Sequence, residues 1–323
     1  MSAEYLISFL YAVVLAGTPL LFGTLGEILT EKSGNLNLGV EGMMCMGAVM
    51  GFMAGYRTDS AILAILCAFA AGMVGALIYA FLTVTLKADQ NVTGLTLTIF
   101  GAGFAEFVGE GMISSSPTGS ANLSEGLKKV FGEIHTPFLA DIPYVGDLFF
   151  KYNVFVYIAL ALAIALGVYL YHTRQGLNLR AVGENPAAAD AGGVNVTLYK
   201  YVHILIGGGI CGLGGAYVSI VTCGGTWTPN CVNGLGWIAV ALVIFVSWSP
   251  YRAILGALLF GALSVLRLYI AGLTGLEISI PTPIFSMLPF IVTAIVLVIG
   301  SVRMSREHAQ PKGCGVNYFR EER

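Results

Sequence analysis

The chain has 323 residues, of which 56% are hydrophobic and only 11% charged, with a net charge of −2. A soluble globular protein carries about 25% charged residues, so most of this chain is built for lipid and not for water. The near-neutral balance leaves no electrostatic footprint for nucleic acid, and the six cysteines lack the Cys-x-x-Cys spacing of a zinc site.

Residues 5–29 form the first apolar run. No Lys or Arg precedes Lys32, so the positive region of a cleaved signal peptide is missing and the run is predicted to be a retained span. A spanning helix needs about 20 apolar residues. Further candidates are 37–55, 60–85, 91–112, 153–171, 201–222, 233–249, 252–272 and 284–302. The runs lack period-two alternation, which predicts helices and excludes a barrel. The expected fold is an all-α integral membrane domain over 1–302 with about nine transmembrane helices, followed by a cytoplasmic tail, 303–323.

Two of these runs begin irregularly. Asn35, Asn37, Gly39 and Glu41 lead into the second, and Asn233, Gly234 and Gly236 lead into the short seventh. Paired Gly-interrupted segments predict discontinuous helices around a pathway; ordinary helix ends are the plainer alternative. Asn91, Thr93 and Thr96 at the start of the fourth run suit a wall for a polar solute, although threonines also bond back to their own helix. Glu41 and Glu106 are costly inside a bilayer and face protein or water by default. Arg267 is expected to pair with Glu106 or with backbone carbonyls in the bundle. Gly47, Gly51 and Gly55 repeat at the spacing of a close helix contact. Gly207, Gly209 and Gly212 fit a dinucleotide fingerprint only in letters, because no strand precedes them.

One polar insert, 172–200, interrupts the apolar chain. Asn185 suits a helix N-cap, Pro186 the first helical position, and Gly192 with Gly193 a stop. A short stiff rod outside the membrane is suited to pass force to a soluble partner. Basic residues set its side: Arg174, Arg180, Lys200, Arg252, Arg303, Arg306 and Lys312 group together, against Arg57, Lys128, Lys129 and Lys151 opposite. The positive-inside rule then puts the insert and the C-terminus in the cytoplasm and the N-terminus outside. Cys223 and Cys231 fall on the outer side, where two unpaired thiols are expected in preference to a disulfide. No P-loop occurs, so any ATP-driven activity borrows its motor from another chain. No metal triad or nucleophile–base pair is visible, which disfavours an enzyme. An ion-coupled transporter would have to use Glu41 and Glu106.

Residues 23–43, Gln90-Asn-Val-Thr-Gly-Leu, Gly176-Leu-Asn-Leu-Arg-Ala-Val-Gly-Glu-Asn-Pro-Ala-Ala and 234–245 resemble permease subunits of ABC importers. That family includes ribose-type sugar, branched-chain amino acid and nucleoside permeases, and the likeness is strongest to the shorter nucleoside permease. The resemblance implies a bacterial plasma-membrane complex with a second paralogous permease, a cytoplasmic ABC ATPase and an extracytoplasmic solute-binding lipoprotein. It implies coupling to the ATPase through Arg180, Gly183, Glu184, Asn185, Pro186, Ala187 and Ala188. Asn35, Asn37, Glu41, Asn91, Thr93 and Asn233 are the expected pathway residues, and no cofactor, metal or catalytic residue is implied. The sparse charge in the spans suits a neutral polar solute, a nucleoside first and a simple sugar second. The stretch 223–231 and the tail after Gly313 depart from the family's pattern.

Overall fold

A computed structural model describes residues 3–134, 145–274, 287, 288, 290–295, 298 and 310–320. The helices are α1 (Ala3–Lys32), α2 (Val40–Thr58), α3 (Ala61–Ala80), α4 (Gln90–Ser115), α5 (Glu125–Val130), α6 (Val145–Phe149), α7 (Val154–His172), α8 (Arg174–Glu184), α9 (Pro186–Ala191), α10 (Val196–Tyr217), α11 (Leu235–Phe245) and α12 (Pro250–Thr274). Single π-turns, Phe81–Thr85 and Val218–Thr222, prolong α3 and α10. Among the described residues the only extended pairing is an isolated bridge between Asn122 and Thr226.

Among the described residues five helices are long and apolar enough to cross a bilayer: Glu4–Lys32, Ala61–Thr85, Gln90–Ser115, Val154–His172 and Val196–Thr222. The seventh sequence-predicted span, 233–249, is helical only over Leu235–Phe245. Eleven residues rise about 16 Å, short of the roughly 30 Å hydrocarbon core. Gly234 opens it at φ 88°, and Ser247 and Trp248 close it at φ 54° and 55° before Pro250 starts α12. This helix is discontinuous. Of the predicted span 284–302 only residues 287, 288, 290–295 and 298 are described, all helical, and the side chain of Arg267 lies outside the described residues.

α10 is the centre of the bundle and packs against α1, α2 and α3. Its glycines let backbones touch, as small residues do where lipid supplies no hydrophobic drive. A Cβ on Gly47 would lie 2.3 Å from Gly212 Cα, and one on Gly215 would lie 1.8 Å from Met44 O. Pro19 sits inside α1 and cannot donate to Leu15 O. The Tyr217 hydroxyl of α10 donates to that carbonyl instead, at 2.9 Å, so the α1–α10 contact repairs the ladder that proline breaks. Outward faces of α3, α4 and α7 expose Ile62, Leu66, Ile99, Phe107 and Ile164.

Gly215→Leu should therefore push α10 off α2, at a cost of about 3 kcal/mol, the upper range for overpacking. Gly103→Ala is the matched control, because a Cβ there would meet nothing within 4 Å. Thermal unfolding in detergent reads both. Equal melting temperatures for the two variants would contradict this packing.

Candidate functional site

The segment between α1 and α2, residues 33–39, is non-helical and almost wholly buried; Ser33, Asn35 and Asn37 are at most 1% exposed. Backbone of that kind is tolerated at depth only when each polar group finds a partner. Glu27 accepts from Asn37 N–H and Asn37 Nδ2, both at 3.1 Å. Gln90 Oε1 accepts from Leu36 N–H at 2.7 Å, Tyr79 donates to Leu36 O at 2.5 Å, and Thr98 donates to Leu38 O at 3.0 Å. Asn37 Oδ1 accepts from Gly39 N–H at 2.9 Å. Side chains from α1, α3 and α4 together hold one unwound turn.

Glu41 does the same for α11. Its Oε1 accepts from Gly234 N–H at 2.7 Å and its Oε2 from Gly236 N–H at 2.6 Å, so the carboxylate caps the start of that short helix. Two of the expected pathway residues, Asn37 and Glu41, are thus buried, Asn37 between Glu27 and Gly39 N–H and Glu41 on the start of α11. Asn35 is buried too, with Nδ2 3.5 Å from Thr83 Oγ1 and Oδ1 without a protein partner. Thr93 donates to its own helix at Asp89 O, 2.7 Å, and Thr96 to Val92 O, 2.8 Å. Asn91 and Asn233 are exposed and far apart in the fold's connectivity, one opening α4 and the other preceding α11. Glu106 lies on the exposed side of α4. The cavity beside it, bounded by Cys45, Trp227 and Asn230, holds about 20 Å³. That is room for a single water.

The polar insert folds as two helices meeting at Asn185. Thr173 caps α8, its Oγ1 accepting from Gly176 N–H at 3.0 Å. Asn185 Oδ1 accepts from Ala188 N–H at 3.0 Å, with Pro186 first in α9 and Gly192 as its C-cap. Both helices carry a capping residue in the sequence, Thr173 for α8 and Asn185 for α9, and α8 adds an amphipathic pattern that buries Leu179 and Val182. Gly183 turns inward: a Cβ there would lie 2.4 Å from Lys32 O, so it seats α8 on the end of α1. Arg180 is half-buried, its guanidinium 5.7 Å from the Tyr171 ring centre. Glu184, Asn185 and Ala188 are exposed, and Pro186 and Ala187 partly so. A small apolar cluster of Val182, Ala189 and Val196 anchors the pair. Cavities of about 560 and 250 Å³ flank α9, the first bounded by Lys87, Asp190 and Arg320, the second by Glu184, Pro186 and Lys312.

At the other end of α10, Cys223 and Cys231 are free thiols in mutual contact. The hydrogen bond from Cys231 holds the Cys223 thiol below its ordinary value, while the Cys231 thiol is pushed up. Among the described residues no cluster of His, Cys, Asp or Glu could hold a metal ion.

Replacing Glu41 by Ala leaves two N–H groups at the start of α11 without their acceptor. Loss of about 1–3 kcal/mol follows, and Glu41→Gln, which keeps one oxygen acceptor, should lose less. Unfolding midpoints in detergent check the order; an Ala variant as stable as the parent would contradict the capping role.

The sequence matches the family model described as branched-chain amino acid transport system / permease component over residues 9–297. It is 33% identical to a guanosine ABC transporter permease protein of Bacillus subtilis, over 97% of this chain and 96% of that one. It is 31% identical to a nucleoside ABC transporter permease protein of Lactococcus lactis, over 96% of each. A putative glucose ABC transporter permease protein of Haloferax volcanii is 40% identical, over 80% of this chain and 76% of that one. A solved structure described as an inward-facing conformation of a putative metal-chelate type ABC transporter aligns with a TM-score of 0.45 and 14% identity, covering 92% of this chain and 85% of its own. With helices long and apolar enough to cross a bilayer and a family match over residues 9–297, this chain belongs to the family of ABC importer permease subunits.

Proposed function

We propose that this chain is one of two permeases in an ATP-driven nucleoside importer, and that a cytoplasmic ATPase grips it at α8–α9. The carrying observation is a capped, partly exposed helix pair outside the apolar spans, in a chain with no ATP-binding motif. Arg180, Glu184 and the Asn185–Ala188 turn would meet the ATPase; Gly183 would set the height at which they stand. ATPase closure would pull this pair and, through α10, rock the central bundle. An extracytoplasmic binding protein would deliver the solute on the opposite face.

The second permease is inferred from α4. Its exposed side carries Thr96, Gly103, Glu106 and Glu110 beside Ile99 and Phe107, and its most apolar stretch has a mean hydropathy of 1.4, the lowest of the five candidate spans. A charged residue at the bilayer centre costs about 2.5–3.5 kcal/mol on insertion scales, so such a face seeks water or protein. The 20 Å³ cavity inside the chain is too small for a sugar or nucleoside. A path along α4, completed by a paralogous chain and opened by Asn91 on the cytoplasmic side, satisfies both constraints. Nucleosides are favoured because the guanosine and nucleoside relatives align along the full chain. The glucose relative, more identical over a shorter stretch, keeps a simple sugar as the second reading.

Deleting residues 184–191 should leave the chain in the membrane and abolish solute-stimulated ATP hydrolysis; retained stimulation would refute the docking role. Glu106→Gln discriminates the ion-coupled alternative, which loses uptake, from the ATP-driven one, which keeps it. Competition of labelled guanosine uptake by unlabelled glucose separates the two solute classes.

A further inference from the structure

Residues 310–320 contain no helix, yet seven of the eleven, Gly313 to Tyr318 and Arg320, bond to the body of the protein. Gly313 N–H donates to Gly183 O at 2.8 Å, and a Cβ on Gly313 would lie only 2.7 Å from that oxygen. Cys314 Sγ lies 3.2 Å from Glu31 O, at the end of α1. Asn317 Nδ2 donates to Lys87 O at 2.6 Å and to Ala88 O at 3.2 Å, in the turn before α4. On the far side of α9, Tyr318 donates to Asp190 Oδ2 at 2.9 Å, and Arg320 Nε stands 3.1 Å from the same oxygen. The tail therefore reaches α1, α8, α9 and the lead-in to α4.

Gln90 is the junction. It is 2% exposed, and its Oε1 accepts both Gly315 N–H at 3.0 Å and Leu36 N–H at 2.7 Å. Its Nε2 donates to Val316 O at 3.5 Å and to Asn317 Oδ1 at 3.3 Å. A continuous set of hydrogen bonds thus runs from Asp190 on α9 through the tail to the unwound 33–39 segment that opens α2. α9 itself is six residues long with Ala189 as its buried contact, and Tyr318 packs on the cluster that holds it. A rod this short transmits displacement only if something stiffens its attachment.

We propose that residues 312–320 are a coupling strap, tying α9 to the unwound lead-in of α2 through Gln90, so that motion of α8–α9 reaches α2 as well as α10. Gln90, Asn317 and Tyr318 are its positioning residues. The inference rests on the reading that an ATPase grips α8–α9.

The test uses the assembled transporter in membranes and reads three quantities: chain abundance, basal ATP hydrolysis and its stimulation by solute. A chain ended at residue 309 and the double variant Asn317→Ala with Tyr318→Phe are compared with the parent. Stimulation should fall roughly fivefold or more, the range of a lost coupling free energy, while abundance and basal hydrolysis hold. Parent-like stimulation in the double variant would overturn the strap, and where the shortened chain fails to accumulate the double variant decides alone. The 184–191 deletion separates the two ideas. If that deletion leaves stimulation intact, the docking reading fails; if it abolishes stimulation and the strap variants do not, the strap alone fails.

Discussion

The fold depends on one buried break in its backbone. Residues 33–39 leave the helical ladder inside the protein, where no bulk water can satisfy their N–H and C=O groups. Glu27, Tyr79, Gln90 and Thr98 take up those groups from three other places in the chain. The cost of an unpaired buried backbone group is a large fraction of a protein's net stability. The positions of α1, α3 and α4 relative to the start of α2 are accordingly fixed by hydrogen bonds, and Glu41 extends the arrangement to α11.

Around this break the bundle is packed by glycine. Contacts such as Gly47 on Gly212 bring backbones closer than larger residues allow, which suits a core that must move as a unit. The α8–α9 pair joins it through Leu179 in the main core, through Gly183 against the end of α1, and through the small cluster of Val182, Ala189 and Val196. Under the proposed docking, one external displacement of this pair would reorient several helices together, because packed cores switch between arrangements and do not deform continuously.

Local chemistry was legible in the sequence; long-range pairing was not. Asn185, Pro186 and Gly192 announce α9 because capping rules act within a few residues. The Gly- and Asn-rich stretch before α2 marked a non-helical lead-in to a regular helix, and the shortness of the seventh apolar run marked the brief α11. The partners of Asn37 and Glu41 were not legible, since the Asn37 N–H is taken up by Glu27, 10 residues back, and the backbone that Glu41 caps lies 193 residues on, at Gly234. Gly183 reads as part of an exposed motif, yet the end of α1 packs on it. Tyr217 repairing the Pro19 gap is likewise invisible without the fold. The tail after Gly313 carried no sequence signal, because isolated Asn, Tyr and Arg residues acquire meaning only from what they touch.

The central claim is that α8–α9 stands in the cytoplasm, across the membrane from the Cys223–Cys231 loop. Single-cysteine chains carrying either native Cys223 or an Ala187→Cys substitution, treated in intact cells with a membrane-impermeant maleimide, test it directly. The account predicts labelling of Cys223 in intact cells and of the Ala187→Cys position only after permeabilisation. Labelling at position 187 in intact cells would contradict it.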